Sequence, residues 1–256
     1  MSNVYFDAYK KFTKQLSGFE TDFLYEHQLE AMFEILKDWS QLHTLNEVET
    51  WFSEKRLKSK FEVEELPLNQ VNDWHVHPTT GNITHSSGDF FEVCGIRVRS
   101  KNREITGGWD QPIIKQIGYD GGILGLIRKR FNGVPHYLCE AKEEPGNYGL
   151  LQISPTLQAT FANIKKAHGG RAPYFLNYFS DENYEKVKVL FDAWLSEDGG
   201  RLYNKRNRAI LIEVTENHKL ELPNDNFIWL SLYQIKALLK QDAWINPHVR
   251  GILAHV

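Results

Sequence analysis

Cysteine is scarce in this chain of 256 residues: Cys94 and Cys139 share no CxxC spacing, and each sits in an apolar, strand-like context. A disulfide framework is excluded, and two buried free thiols in a reducing cytoplasm fit better than a single bridge. No apolar run approaches the ~20 residues of a membrane-crossing helix, and no signal peptide opens the chain. A soluble, cytoplasmic protein without membrane attachment is therefore expected. With a formal net charge of −3, the chain lacks the electrostatic footprint of a nucleic-acid binder. Internal repeats and low-complexity segments are also missing. Helical and strand-like segments do not alternate regularly, which argues against a doubly wound parallel sheet.

What remains is ample for a core: 41% hydrophobic and 13% aromatic residues. Residues 1–65 read as a helical arm. Phe19, Phe23, Leu24 and His27, then Leu29, Met32, Phe33, Ile35 and Leu36, fall near helical spacing. Thr44 or Asn46 can cap a further helix over 46–58 with Trp51 and Phe52 on its apolar side. From Asp73 the period changes to two, giving strands at Trp74–His77, Ile83–His85 and Phe90–Val98. His75, His77 and His85 invite a metal reading, but no Asp, Glu or Cys completes a ligand pattern, and polar strand residues near a ligand fit better. Trp109, in the turn Gly107–Pro112, is placed either to stack on a base or sugar or to pack the turn. Asn132-Gly133 is a two-residue turn joining Gly121–Arg130 to Val134–Glu144 as a hairpin.

The stretch His136–Arg171 organises the rest. In its strand, His136, Leu138, Glu140, Lys142 and Glu144 project to one face, with Tyr137, Cys139, Ala141 and Glu143 on the other. The charged row reads either as a solvated face or as an acid/base or ligand-binding surface. After the turn, Ser154-Pro155 starts a helix running through Phe161 and Lys165 to Gly169-Gly170. Its N-terminus beside Thr156 and Gln158 either suits a pyrophosphate or is merely capped and solvated. Further on, Tyr174–Tyr178 reads as a short strand, and Glu182–Leu195 fits helix and strand about equally. Arg206 and Arg208 face one way if extended, either a fork for a diphosphate or a charged edge. A helix is expected over Phe227–Leu239 with Ser231 as a possible cap, and Pro247 helps to stop the final segment. The pattern as a whole is α+β, a mixed or antiparallel sheet flanked by helices.

The blocks WHVHPTTGNITHSSGDFFEVCGIRV, GWDQPII, AKEEPGNYGLLQISPTLQATFANIKKAHGG, KRNRAILIEV and NFIWLSLYQIKALL resemble, in order, the NDP-hexose 2,3-dehydratase family. The resemblance covers roughly residues 70–250, within a module of 66–256. It implies a Nudix-like fold and action on a nucleotide-linked 4-keto-6-deoxyhexose, usually carrying dTDP. It implies no metal and no nicotinamide cofactor; the glycine and RExxEE helix of Nudix hydrolases and a GxGxxG fingerprint are both missing here. Carried over by position, Glu144 or His168 would be the base, and Lys142 or Tyr148 the donor to the developing oxyanion. Trp109, Gln111, Gln152, Thr156, Gln158, Arg171, Arg206 and Arg208 would hold the nucleotide and diphosphate. Glu140 stands where the family's pattern has glutamine, adding a charge to the same face. The family's enzymes usually carry two such modules in one chain, so a homodimer replacing the internal duplication is implied, with the arm as its interface.

Overall fold

The computed structural model describes residues 4–21, 24–102, 104–118, 121–164, 171–180 and 187–256. The helices are α1 (Val4–Gln15), α2 (Glu26–Glu34), α3 (Leu45–Lys58), α4 (Phe161–Ile164), α5 (Leu232–Leu238) and α6 (Pro247–Leu253). A small sheet holds β1 (Trp74–Val76), β2 (Ile83–His85), β3 (Phe91–Val98) and β4 (Trp109–Gln116), an antiparallel meander in that order. The main sheet is built on β5 (Gly122–Phe131), β6 (Val134–Glu143), β9 (Lys188–Ser196), β10 (Arg206–Val214) and β11 (Phe227–Leu230), in the order β11-β6-β5-β10-β9. Only β5 and β10 run parallel, so the sheet is mixed and the α+β expectation holds.

The β5–β6 hairpin turns where Asn132 and Gly133 adopt positive φ of 50° and 80°, the conformation that Asn-Gly favours and that suits strand twist. The two faces of β6 part as its alternation requires. Tyr137, Cys139 and Ala141 join a core under α3, α5 and α6 with Val48, Phe52, Leu126 and Leu211, whereas Leu138 joins Ile127, Ile210, Ile212 and Phe179 on the far side. Gly125 is obligatory there, because an added Cβ would lie 2.4 Å from the Phe179 ring.

Beyond Leu138 the hairpin opens into a fork. β7 (Leu151–Pro155) pairs with β6, while β8 (Leu157–Thr160) pairs with β5. Thr156 pins the crotch: its hydroxyl accepts from Ile127 N at 2.9 Å and donates to Leu138 O at 2.5 Å. Over its described part, 154–164, the helix expected from Ser154 is instead two strands followed by α4, and the rest of the expected helix lies outside the described residues. Its Ser-Pro signal is local, whereas Leu151, Ile153, Leu157 and Ala159 alternate into the core and find ladder partners on distant strands. Thr156 and Gln158 stand on the β7–β8 strand segment rather than at a helix N-terminus. Thr156→Val is expected to orphan a buried N–H and a buried C=O, costing about 1–3 kcal/mol each. Denaturant titration would register this as a lower midpoint with unchanged slope.

Other expectations need correction. Leu176–Phe179 is a 3-10 turn, not a strand, and β9 resolves the ambiguous segment in favour of strand. Phe227–Leu230 pairs with β6 before Ser231 caps α5, so the helix begins five residues later than expected. Pro247 opens α6 behind the Asn246 cap rather than ending a segment. Thr44 caps α3 in a reciprocal box with Glu47, as the sequence indicates.

The arm is bonded to the sheet through buried charge. Arg128 of β5 meets Glu30 at 2.5 Å, Glu34 at 2.9 Å and Glu213 at 3.1 Å, and Arg130 grips Glu30 with two bonds of 2.7 Å. Glu30 is held down at about 2 against its own burial by Arg130 and Arg128. Glu34 is pushed up to about 7 chiefly by burial, with Arg128 opposing and Glu30 adding to the rise. Its Oε2 is buried without a hydrogen-bond partner among the described residues. The folded chain thus keeps a proton on Glu34 that the unfolded chain loses between pH 4.5 and about 7. The Glu34 contribution is full below that window and falls as pH rises through it, by on the order of 1–3 kcal/mol. His136, pressed down to about 4 by burial, works the other way. Glu34→Gln should therefore gain stability over the parent as pH rises from about 5 to 8; melting curves of the pair across that range that stay parallel would refute this.

Candidate active site

At the mouth of the fork, Lys142 reaches from β6 and donates to Gln158 O on β8 at 3.1 Å. The Gln158 side chain donates in turn to Glu144 Oε1 at 2.8 Å. Glu140 lies 4.0 Å from the Lys142 ammonium, and burial raises its pKa, with Lys142 opposing and Glu144 adding. Of that charged row, Glu140 lines a neighbouring cavity with Thr156, Tyr174 and Phe227, whereas Lys142 and Glu144 edge one of about 290 Å³. Its other wall comes from distant elements: Glu197 after β9, Lys205 and Asn207 at the start of β10, and His248 at the start of α6.

His248 Nδ1 stands 3.6 Å from Glu197 Oε1. Asn207 Nδ2 donates to that same oxygen, and Asn207 Oδ1 accepts from Gly122 N at 2.7 Å. The carboxylate behind the imidazole is therefore fixed to the backbone of β5. Burial lowers the His248 pKa, against the pull of Glu197 and Glu144.

Thr160, Asn163, Leu202 and Lys205 also line a second cavity of about 580 Å³, so the two are one groove. This outer compartment is walled by Trp74, His85, Phe90 and Phe91 of the small sheet. Trp74 and Phe91 have ring centroids 4.8 Å apart, and His85 stands edge-on to Phe90 at 4.8 Å. Lys205, its pKa lowered by burial, donates to Gln116 at the junction.

Of the residues singled out from the sequence, the fold brings together Glu140, Lys142, Glu144 and Gln158. Gln152 instead donates to Ala243 O at 3.0 Å and accepts from Asn246, tying β7 to the C-terminal segment. Trp109 donates to Gln111 at 2.6 Å, and Gln111 donates to Gly200 O at 2.9 Å, so both fasten the small sheet to the 198–205 loop. The diphosphate fork expected of Arg206 and Arg208 is spoken for: Arg206 lies over the Trp194 ring at 4.6 Å, and Arg208 grips Asp192 with bonds of 2.7 and 3.0 Å. Tyr148 and Arg171 are exposed. His168, Gly169 and Gly170 lie outside the described residues. Among the described residues no group of three or more His, Cys, Asp or Glu is gathered to hold a metal, and Nδ1 of His77 accepts from Thr79 and Thr80 N.

Sequence reasoning missed His248, Glu197, Lys205, Asn207 and Trp74. Asn-Pro-His reads as cap, first-turn proline and an exposed second position, a signal that would have set His248 at a helix start. Asn207 sits between the two arginines and, by alternation, on the opposite face.

Fold and groove together define an α+β protein in which a cluster of acid, amine and imidazole groups adjoins an aromatic compartment. The chain belongs to the NDP-hexose 2,3-dehydratase family, whose sequence model matches residues 45–256. It is similar to curated proteins named dTDP-4-dehydro-6-deoxy-alpha-D-glucopyranose 2,3-dehydratase. That of Amycolatopsis orientalis is 38% identical over 221 residues, 85% of this chain and 45% of the relative. That of Saccharopolyspora spinosa is 39% identical over 208 residues, 81% and 41%. The chain thus spans less than half the length of the curated relatives it matches. Two solved structures also align: an Ap4A hydrolase of C. elegans (13% identity, 53% of this chain and 92% of that one) and a Nudix hydrolase of M. smegmatis (12%, 63% and 97%). Each has a TM-score of 0.30, too low to bear on fold or chemistry.

Proposed function

We propose that the chain binds a dTDP-linked 4-keto-6-deoxyhexose along this groove and eliminates water across C2 and C3, giving a 3,4-diketo-2,6-dideoxy sugar nucleotide. The observation that carries the proposal is the likeness to three curated 2,3-dehydratases at 36–39% identity over at least 80% of the chain. The groove supports it chemically. Trp74, Phe90 and Phe91 offer faces to a nucleobase, Lys205 at the junction suits a diphosphate, and the titratable compartment takes the hexose. A C4 ketone acidifies the C3 hydrogen and leaves the C2 hydroxyl beta to the carbonyl. The elimination therefore needs a base at C3, a donor at the C4 oxygen and a proton for the departing hydroxyl. Lys142 is the donor, and Glu144 lies in the same cavity. The reaction is redox-neutral.

The test is incubation with dTDP-4-keto-6-deoxyglucose, with mass spectrometry for the loss of one water. Trp74→Ala is expected to raise KM about tenfold with little change in kcat, the scale of one base–aromatic stack. A second reading is sugar-nucleotide binding without turnover as a partner subunit; tight binding with no water lost would select it. For the assembly, the proposal is two copies paired through the arm, where Val4, Phe6, Met32 and Leu36 are exposed. A monomer mass by light scattering at micromolar concentration would remove that part. The free thiols of Cys94 and Cys139 fit a cytoplasmic setting.

A further inference from the structure

We infer that His248, oriented by Glu197, is the base that takes the C3 proton of the hexose. The inference rests on the dehydration proposed above and assigns a step of it to a residue that the family resemblance did not single out. Three observations support it. His248 lines the same cavity as Lys142 and Glu144, so a sugar ring held there lies between them. Its Nδ1 faces Glu197 Oε1 at 3.6 Å, and that oxygen is anchored through Asn207 to the Gly122 amide, leaving the second ring nitrogen for a substrate. A carboxylate at that distance from an imidazole stabilises the imidazolium that forms. Glu144, by contrast, spends Oε1 on the Gln158 amide.

The groups facing the imidazole are Glu197, Glu144, Lys142 and Lys205, two acids and two amines, with burial the largest influence. Burial thus favours the neutral ring, the form that accepts a proton. The step balances without a co-reactant. The C3–H pair becomes the C3=C4 bond of an enolate whose oxygen charge meets the Lys142 ammonium. The enolate re-forms the C4 carbonyl and the C2=C3 bond as the C2–O bond breaks. The imidazolium returns its proton to the departing hydroxyl, which leaves as water. In a gluco-configured ring the C3 hydrogen and the C2 hydroxyl lie on one face, so one base serves both transfers.

The experiment uses the full chain and dTDP-4-keto-6-deoxyglucose carrying deuterium at C3, following label release and water loss together. His248→Gln should slow both by about 10²–10⁴-fold. Glu197→Gln should move the acid limb of the kcat/KM profile to lower pH, because the imidazolium loses its neighbouring charge. A merely structural role would not move that limb, and this second variant decides the matter if His248→Gln fails to fold. Wild-type label release from His248→Gln, or an acid limb unmoved in Glu197→Gln, would overturn the assignment while leaving the dehydration intact. Failure of the unsubstituted chain to release label or water would overturn both.

Discussion

Lys142→Met is expected to lower kcat by about 10²–10³-fold with KM changed only a few-fold, the signature of a donor whose bond matters most when charge develops on the C4 oxygen. Methionine keeps most of the side-chain volume, so in the ground state the variant forfeits the 3.1 Å bond to Gln158 O and the 4.0 Å ion pair with Glu140. Label release from C3 should slow with it, because an enolate left without its counter-charge is harder to form. Steady-state kinetics against the sugar nucleotide would check this. A variant whose defect lies wholly in KM would show that Lys142 grips the substrate uniformly and does not meet the enolate.

Arg128→Met is expected to be the most destabilising single change in the core, at about 3–5 kcal/mol, or roughly 6–20 °C in melting temperature. The side chain is 1% exposed and serves Glu30, Glu34 and Glu213 together. Without it those carboxylates are left buried, and Arg130 can satisfy only part of the set. Combining it with Glu34→Leu should recover part of the loss, since an apolar pair of similar volume removes the orphaned acid along with its partner. Calorimetry on the single and double variants is the check: a single variant melting within about 2 °C of the parent would show that the network does not hold the arm.

How far the sequence reached can be read from particular residues. The Asn132-Gly133 hairpin, the Thr44 cap and the charged face of β6 are specified within a few residues, so local chemistry foretold them. The Ser154 helix failed because the competing structure draws its partners from β5 and β6, and no local propensity reports on a fork. Half of the site was visible for the same reason: Glu140 and Lys142 share β6, Glu144 follows it directly, and Gln158, which bonds to Lys142 and Glu144, comes soon after. The other half converges from Trp74, Glu197, Lys205 and His248, which only the tertiary fold brings near. Arg206 and Arg208 misled because their spacing was right for a phosphate fork, while the strand beside them carries Asp192 and Trp194, which take both charges.

Among the described residues, the small sheet is joined to the 198–205 loop by a short set of bonds: Ile114 N to Arg201 O, Tyr203 N to Ile114 O, and the side chains of Gln111 and Lys205. The aromatic wall is thus carried on a frame apart from the fork that carries Lys142, Glu144 and Gln158. That loop also carries Leu202 and Lys205 of the inner cavity, so under the proposed function a change to it would reach both the aromatic wall and the titratable compartment.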